Sequence, residues 1–299
     1  MNKKWRTHAE NYGFLFPSFL LTVVLGIYPI FWGMRYMLYD YKGYGQEIYV
    51  GFDNFVRLWG DDLFWNAARN TAIYAGGKIV VTIPVALILA VILDRGLKGR
   101  HALRAIYFMP TVISTAVIAV VFFMIFNSYN GLLNQFLMKY GLIADAIDWL
   151  GPKHAMLTVV IVAIWGAIGN YMLLFLAGLQ GIPADLYESA DIDGANFLQK
   201  FWRITIPMLG PVMQMIMMLA ITISLKGYES IMVLTEGGPI GKTEVLYLYV
   251  YKLLFPVSTG GGMLQEIGYG SAVGFATAVI VGGVTGIYFY LSKRLNRIY

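Results

Sequence analysis

The residues that could do chemistry in this 299-residue chain are few, and most are charged or amide side chains set inside apolar runs. Lys226 and Glu229 stand three apart in the run from Pro211 to Leu234, with Ser224, Gly227 and Tyr228 beside them. At that spacing side chains meet on one helix face, so this pair is expected either to form an ion pair or to line a polar path. Trp165, Asn170 and Tyr171 form a second group, in the run from Met156 to Leu179. An aromatic face beside hydrogen-bonding groups suits a ligand with apolar C–H faces and many hydroxyls. Asn170 also fits the ordinary role of an amide that joins two helices. Lys78 reads as an anchor at the membrane boundary rather than as part of a site.

Several other chemistries are excluded. There is no cysteine, so disulfides, thiolate metal sites and cysteine nucleophiles are absent. The three histidines, His8, His101 and His154, each lie near the end of an apolar run, and none is at ligand spacing from another. Without clustered histidines or paired carboxylates, no catalytic set and no metal site is expected. The stretch from Gly237 to Thr243 ends like a phosphate-binding loop. The first glycine of G-x-x-x-x-G-K-T would fall at position 236, however, and that residue is Glu. The chain is therefore expected to bind no ATP and no cofactor itself. The net charge of +5 does not indicate nucleic acid, because the positive residues flank apolar runs as topology signals.

The elements that must position these residues are membrane spans. With 58% hydrophobic and 13% charged residues, the chain has about half the charge of a soluble domain, where ~25% is usual. Six apolar runs approach or exceed the ~20 residues needed to cross a bilayer core. They lie near 14–37, 71–93, 105–126, 156–179, 211–234 and 269–291, and are expected to form one all-helical domain over 1–299. The first run is too long for a cleavable signal peptide and continues into an aromatic cluster at Tyr36, Tyr39 and Tyr41. On one side of the expected spans fall twelve Lys and Arg, against eight on the other. This bias predicts both termini and the 183–208 segment on the cytoplasmic side. In the last run Gly270, Gly274, Ala278, Gly282 and Gly286 recur every four residues, the spacing of a smooth helix-packing ridge.

Between the fourth and fifth runs lies a polar helical hairpin. Pro183 can open its first helix at the N1 position, Asp185, Glu188 and Asp191 favour its N-terminal half, and Gly194 can end it in a left-handed conformation. Phe197, Phe201 and Ile204 then mark a second amphipathic segment leading to Pro207 and Pro211. Here the sequence resembles the permease subunits of bacterial ATP-binding-cassette importers. Their cytoplasmic signature reads E-A-A, three residues, G, nine residues, then I-x-L-P. Glu188-Ser189-Ala190, Gly194 and Ile204-Thr205-Ile206-Pro207 keep every spacing, with Ser189 in place of Ala and Ile206 in place of Leu. Gly51 to Phe55, Phe64 to Ala67, Asn70-Thr71, Gly131 to Asn134, Trp149-Leu150 and Thr235 to Pro239 are similar, in order, to segments of maltose-type sugar permeases.

That resemblance implies a compact six-span permease of the type I importer fold, multi-pass in the bacterial cytoplasmic membrane. In such a protein the hairpin is the coupling helix, and Glu188, Ser189, Ala190, Asp193, Gly194 and Ala195 would enter a cleft of the ATPase. Trp165, Asn170, Tyr171, Ser224, Lys226, Gly227, Tyr228 and Glu229 would line the substrate pathway. The implied partners are a second homologous permease, two ATPase subunits that hold ATP and Mg, an extracytoplasmic binding protein, a carbohydrate, and lipid. An importer for glycerol phosphate or another polar metabolite is the nearest alternative. An ion-gradient-driven transporter or channel would show internal repeats and several buried carboxylates, and a membrane enzyme would show a catalytic cluster.

Overall fold

The computed structural model describes residues 3–255 and 265–295. Among these, five helices are long and apolar enough to cross a membrane: Tyr12–Leu38, Asp62–Asp94, Ala155–Gln180, Gly210–Leu234 and Ile267–Lys293. Counting the helix pair Arg100–Val112 and Thr115–Phe126 as one span gives a sixth. In chain order these are the first, second, fourth, fifth and sixth spans, with the helix pair as the third.

Two of the expected continuous spans are broken. The third bends by 97° at residues 113–114. Pro110 removes one backbone donor from the last turn of its first half, and Ile113 and Ser114 are extended, with ψ of 137° and 136°. The fifth stops being helical after Leu225 and resumes at Glu229. Lys226 and Glu229 are consequently not one helical turn apart, and among the described residues no ion pair joins them.

The chain forms two compact units. The first comprises Met1–Asp62 and Tyr249–Ala278. In it the first span leads into a short antiparallel pairing of Tyr39–Asp40 with Ile48–Tyr49. The Asn54 side-chain amide donates to the carbonyls of Met37 and Tyr39, both at 3.0 Å, and ties off the end of that span. Tyr249 and Tyr269 both donate their hydroxyls to Asp61, while Arg57 grips Glu266 and lies 3.9 Å over the Tyr269 ring.

The second unit comprises Leu63–Leu248 and Val279–Tyr299. One apolar cluster joins the second, fourth and fifth spans through Ala86, Leu93, Met172, Phe175, Leu209 and Ile216. Another brings Tyr74, Ile118, Phe126, Val159, Val162 and Ile231 together. The fourth span packs so tightly on the third that a Cβ at Gly169 would lie 2.2 Å from the Tyr107 carbonyl oxygen, so only glycine fits. The turn from Thr235 to Glu244 is held by Asn70, whose side-chain amide donates to the carbonyls of Gly241 and Glu244 at 2.9 Å. The Leu246 amide donates to the Thr71 hydroxyl at 2.9 Å. The segment that imitates a phosphate-binding loop is thus a turn stapled to the second span, and a helix rather than a strand precedes it.

The expected ridge on the sixth span makes close contact at one end. A Cβ at Gly270 would meet Leu254 Cδ2 at 2.9 Å, and one at Gly274 would meet Val250 at 3.6 Å. Ala278 is exposed, and Gly282 and Gly286 have open space around them.

Candidate functional site

Both broken spans of the second unit border one cavity of about 440 Å³. Irregular backbone at membrane depth leaves amide and carbonyl groups that lipid cannot satisfy, so it persists only inside protein or beside water. Here Thr111, Ile113 and Thr115 from the third span and residues 226–230 from the fifth line that cavity. The two breaks therefore place backbone and side-chain polar groups in the wall of a largely apolar cavity.

Of the residues expected to line a pathway, Asn170, Tyr171, Lys226, Gly227, Tyr228 and Glu229 border this cavity. Asn170 lies one turn from Gly166 on the fourth span, and both face the same side. Gly227 lets Tyr74 come close, since a Cβ there would sit 3.0 Å from Tyr74 Cε1. Lys226 and Glu229 are exposed. Trp165 and Ser224 do not border the cavity. Trp165 is 100° around the helix from Gly166 and packs edge-on against Phe122, with ring centroids 5.2 Å apart. Ser224 is fully buried behind the wall, and its hydroxyl has no protein partner.

Lys78 corrects the sequence reading. It is only 8% exposed and borders the cavity from the second span, whereas the sequence reading keeps it outside any site. Its charge inside an apolar run was the available signal. Tyr74, one turn earlier, borders the cavity too. No sequence pattern pointed to the third span as a wall, since that role depends on its bend.

The second feature is the hairpin joining the fourth and fifth spans. Pro183 is the N-cap of the helix Ala184–Ile192, one position earlier than expected. The helix ends at Gly194, which has φ of +75°, conformationally cheap only for glycine. The Ala195 amide donates to the Ala190 carbonyl at 2.9 Å, and the Gly194 amide to that of Asp191 at 3.1 Å. These two bonds satisfy carbonyls that a bare helix end would leave open. Asn196 then starts the next helix through a reciprocal capping box with Gln199, a signal of the S/T/N-x-x-Q type legible in the sequence. Lys200 pairs with Asp191 and the Tyr187 and Thr205 hydroxyls meet at 2.9 Å, bracing the elbow. Glu188, Ser189, Asp193 and Gly194 are exposed, and Ala190 and Ala195 are half-buried. Ile192, Leu198 and Trp202 are exposed by 88%, 62% and 64%.

Among the described residues no group of three or more His, Cys, Asp or Glu could hold a metal ion. Outside the spans, burial first and the Asp61 carboxylate second push the Tyr249 phenol above its ordinary value.

A helical membrane bundle with a cavity between broken spans and a braced elbow after its fourth span defines a permease architecture. The same fold is found in the crystal structure of a bacterial ABC transporter involved in the import of the acidic polysaccharide alginate. The TM-score is 0.83, with 98% of this chain and 99% of that one covered at 24% identity. Residues 82–297 match the family of binding-protein-dependent transport system inner membrane components, and the chain belongs to that family. It is 34% identical to the arabinooligosaccharides transport system permease protein AraP of Bacillus subtilis (strain 168), over 95% of this chain and 88% of that protein. It is 32% identical to the lactose transport system permease protein LacF of Rhizobium radiobacter, over 94% and 93% respectively. The expected family and the expected permease fold are both shown by these matches.

Proposed function

We propose that the chain is one of two permease subunits through which a carbohydrate, an oligosaccharide, crosses the cytoplasmic membrane, with ATP and Mg held by separate ATPase subunits. The observation that carries this reading is the exposed elbow at 183–208. An acidic helix with a protruding apolar tip at Ile192, Leu198 and Trp202 fits a cleft in another protein better than water or lipid. Glu188, Ser189, Ala190, Asp193, Gly194 and Ala195 would make that contact. Both termini and the elbow would be cytoplasmic, following the bias of basic residues. A binding protein would deliver substrate to the opposite face. The carbohydrate is supported by the names of the two relatives and by the tyrosines Tyr74, Tyr171 and Tyr228 beside Asn170 in the cavity wall. Aromatic faces stack on the C–H faces of sugars, and the amide serves their hydroxyls.

Alternating access requires that substrate bind the outward and inward states unequally, since only differential affinity shifts such an equilibrium. The broken spans are suited to this, because short helical pieces can shift while the continuous second and fourth spans hold the core.

The test is purification from gently solubilised membranes. A second permease and an ATPase should copurify, and ATP hydrolysis should rise when the binding protein brings a glycan. Gly194→Pro removes the amide that bonds Asp191 and forbids the positive φ. It should abolish stimulated hydrolysis while membrane insertion persists. Full stimulation in that variant would count against the coupling role of the elbow.

A further inference from the structure

Lys78 is the one charged residue of the cavity wall that is buried, and no charged group among the described residues pairs with it. Three charged residues border the cavity: Lys78, Lys226 and Glu229. Lys226 and Glu229 are exposed and can be hydrated, whereas Lys78 is 8% exposed. Among the described residues no hydrogen bond or ion pair engages Lys78. A lysine buried on a membrane span that meets no carboxylate is costly, and such residues ordinarily face a functional path with a partner. We propose that the partner is the cargo: the transported carbohydrate bears an anionic group, carboxylate or phosphate, that pairs with the Lys78 ammonium in the cavity.

This rests on the carbohydrate reading above and narrows it. The surroundings match an anionic sugar rather than a bare anion. A volume of about 440 Å³ lies within the ~300–1,000 Å³ usual for small-molecule sites. Tyr74, Tyr171, Tyr228 and Asn170 supply ring faces and an amide around the lysine. With Lys226 and Glu229 opposing each other in sign, Lys78 leaves the wall with an excess of one positive charge. A hydroxyl-only sugar would leave that charge uncompensated, while a uronate or sugar phosphate would neutralise it and gain a charge-assisted hydrogen bond.

The test uses the whole transporter, this chain with its partner permease, ATPase and binding protein, in proteoliposomes. The probes are α-1,4-linked trigalacturonate, its carboxyl-reduced counterpart galactotriose, trehalose 6-phosphate with trehalose, and glycerol 3-phosphate. ATP-dependent uptake should favour an acidic saccharide over its neutral counterpart, and the preferred pair identifies carboxylate or phosphate as the charge read. Lys78→Met should lower the ratio of acidic to neutral uptake at least tenfold, and Lys78→Arg should keep it within about threefold. Size-exclusion profile and melting temperature show whether each variant still assembles. If Lys78→Met fails to assemble, Lys78→Arg and Lys78→Gln decide through the same ratio. Preference for neutral saccharides, an unchanged ratio in Lys78→Met, or equal loss for every probe overturns the proposal. Equal loss is the signature of a lysine paired instead with a carboxylate of the partner permease. Uptake of glycerol 3-phosphate with no saccharide of either kind overturns the carbohydrate reading itself, which the saccharide pairs keep distinct from a failure of Lys78 alone.

Discussion

The buried asparagines of this protein and the unpaired polar residues of its cavity, Asn170 and Lys78, are bonded in opposite ways. Asn134 is 1% exposed and uses all its capacity: its amide donates to the carbonyls of Ser128 and Ile147, and its oxygen accepts from the Ile147 amide and the Trp149 indole. Asn54 and Asn70 each donate to two backbone carbonyls. Asn170 and Lys78, by contrast, have no protein partner among the described residues, and both border the cavity. Asn170 is half-buried and Lys78 buried, and a polar group left without a protein partner on an apolar span is costly, which makes the two candidates for contact with a ligand. Among these amides, the bonded ones hold the scaffold and the unbonded one borders the cavity, although the unbonded hydroxyl of Ser224 lies off the cavity.

The largest effect should come from breaking the most fully bonded residue. Asn134→Ala orphans the Trp149 N–H and backbone groups at Ser128 and Ile147, and should cost about 2–4 kcal/mol. This would appear as a large fall in the melting temperature of the solubilised complex. A variant that melts like the parent would undo the distinction. Next, Asn70→Ala should cost about 1–2 kcal/mol and loosen the turn at 235–244, read as faster protease cleavage there. Asn170→Ala should behave in the reverse way. Its melting temperature should stay near that of the parent while glycan uptake drops about tenfold, equivalent to ~1.4 kcal/mol of lost substrate contact. Loss of stability without change in uptake would move Asn170 to the scaffold side.

The contrast also explains what could be read in advance. Spans, hairpin and family were legible because apolar length, helix-stop chemistry at Gly194 and motif spacing are local properties of the chain. The motif residues that carried the sugar-permease resemblance, Asn54, Asn70, Asn134 and Trp149, are largely staples between loops and spans. Their presence identified a fold without identifying a site. Lys78 was visible as a charge, but its distance from any carboxylate depends on how three spans pack. The bend at 113–114 and the interruption at 226–228 were not legible for a similar reason. Apolar windows stay hydrophobic across a break, and Pro and Gly occur in many membrane helices whose spans continue past them, so Pro110 and Gly227 alone do not mark where a break falls.

The smallest expected effect lies in the first unit, where two phenols share one carboxylate. Tyr249→Phe removes one donor from Asp61 while the Tyr269 bond remains. The cost should be about 1 kcal/mol, with little change in uptake. Because burial and Asp61 raise the Tyr249 phenol above its ordinary value, its proton is held more tightly when folded than when unfolded. Its contribution is then fully present below the unfolded value of about 10 and is lost as pH climbs through the folded value. Melting curves of parent and Tyr249→Phe should therefore differ by a constant amount up to about pH 9 and converge only in strong alkali. A gap that closes near neutrality would show that the bond to Asp61 is not what stabilises this corner, and would place Tyr249 with the unbonded residues rather than the staples.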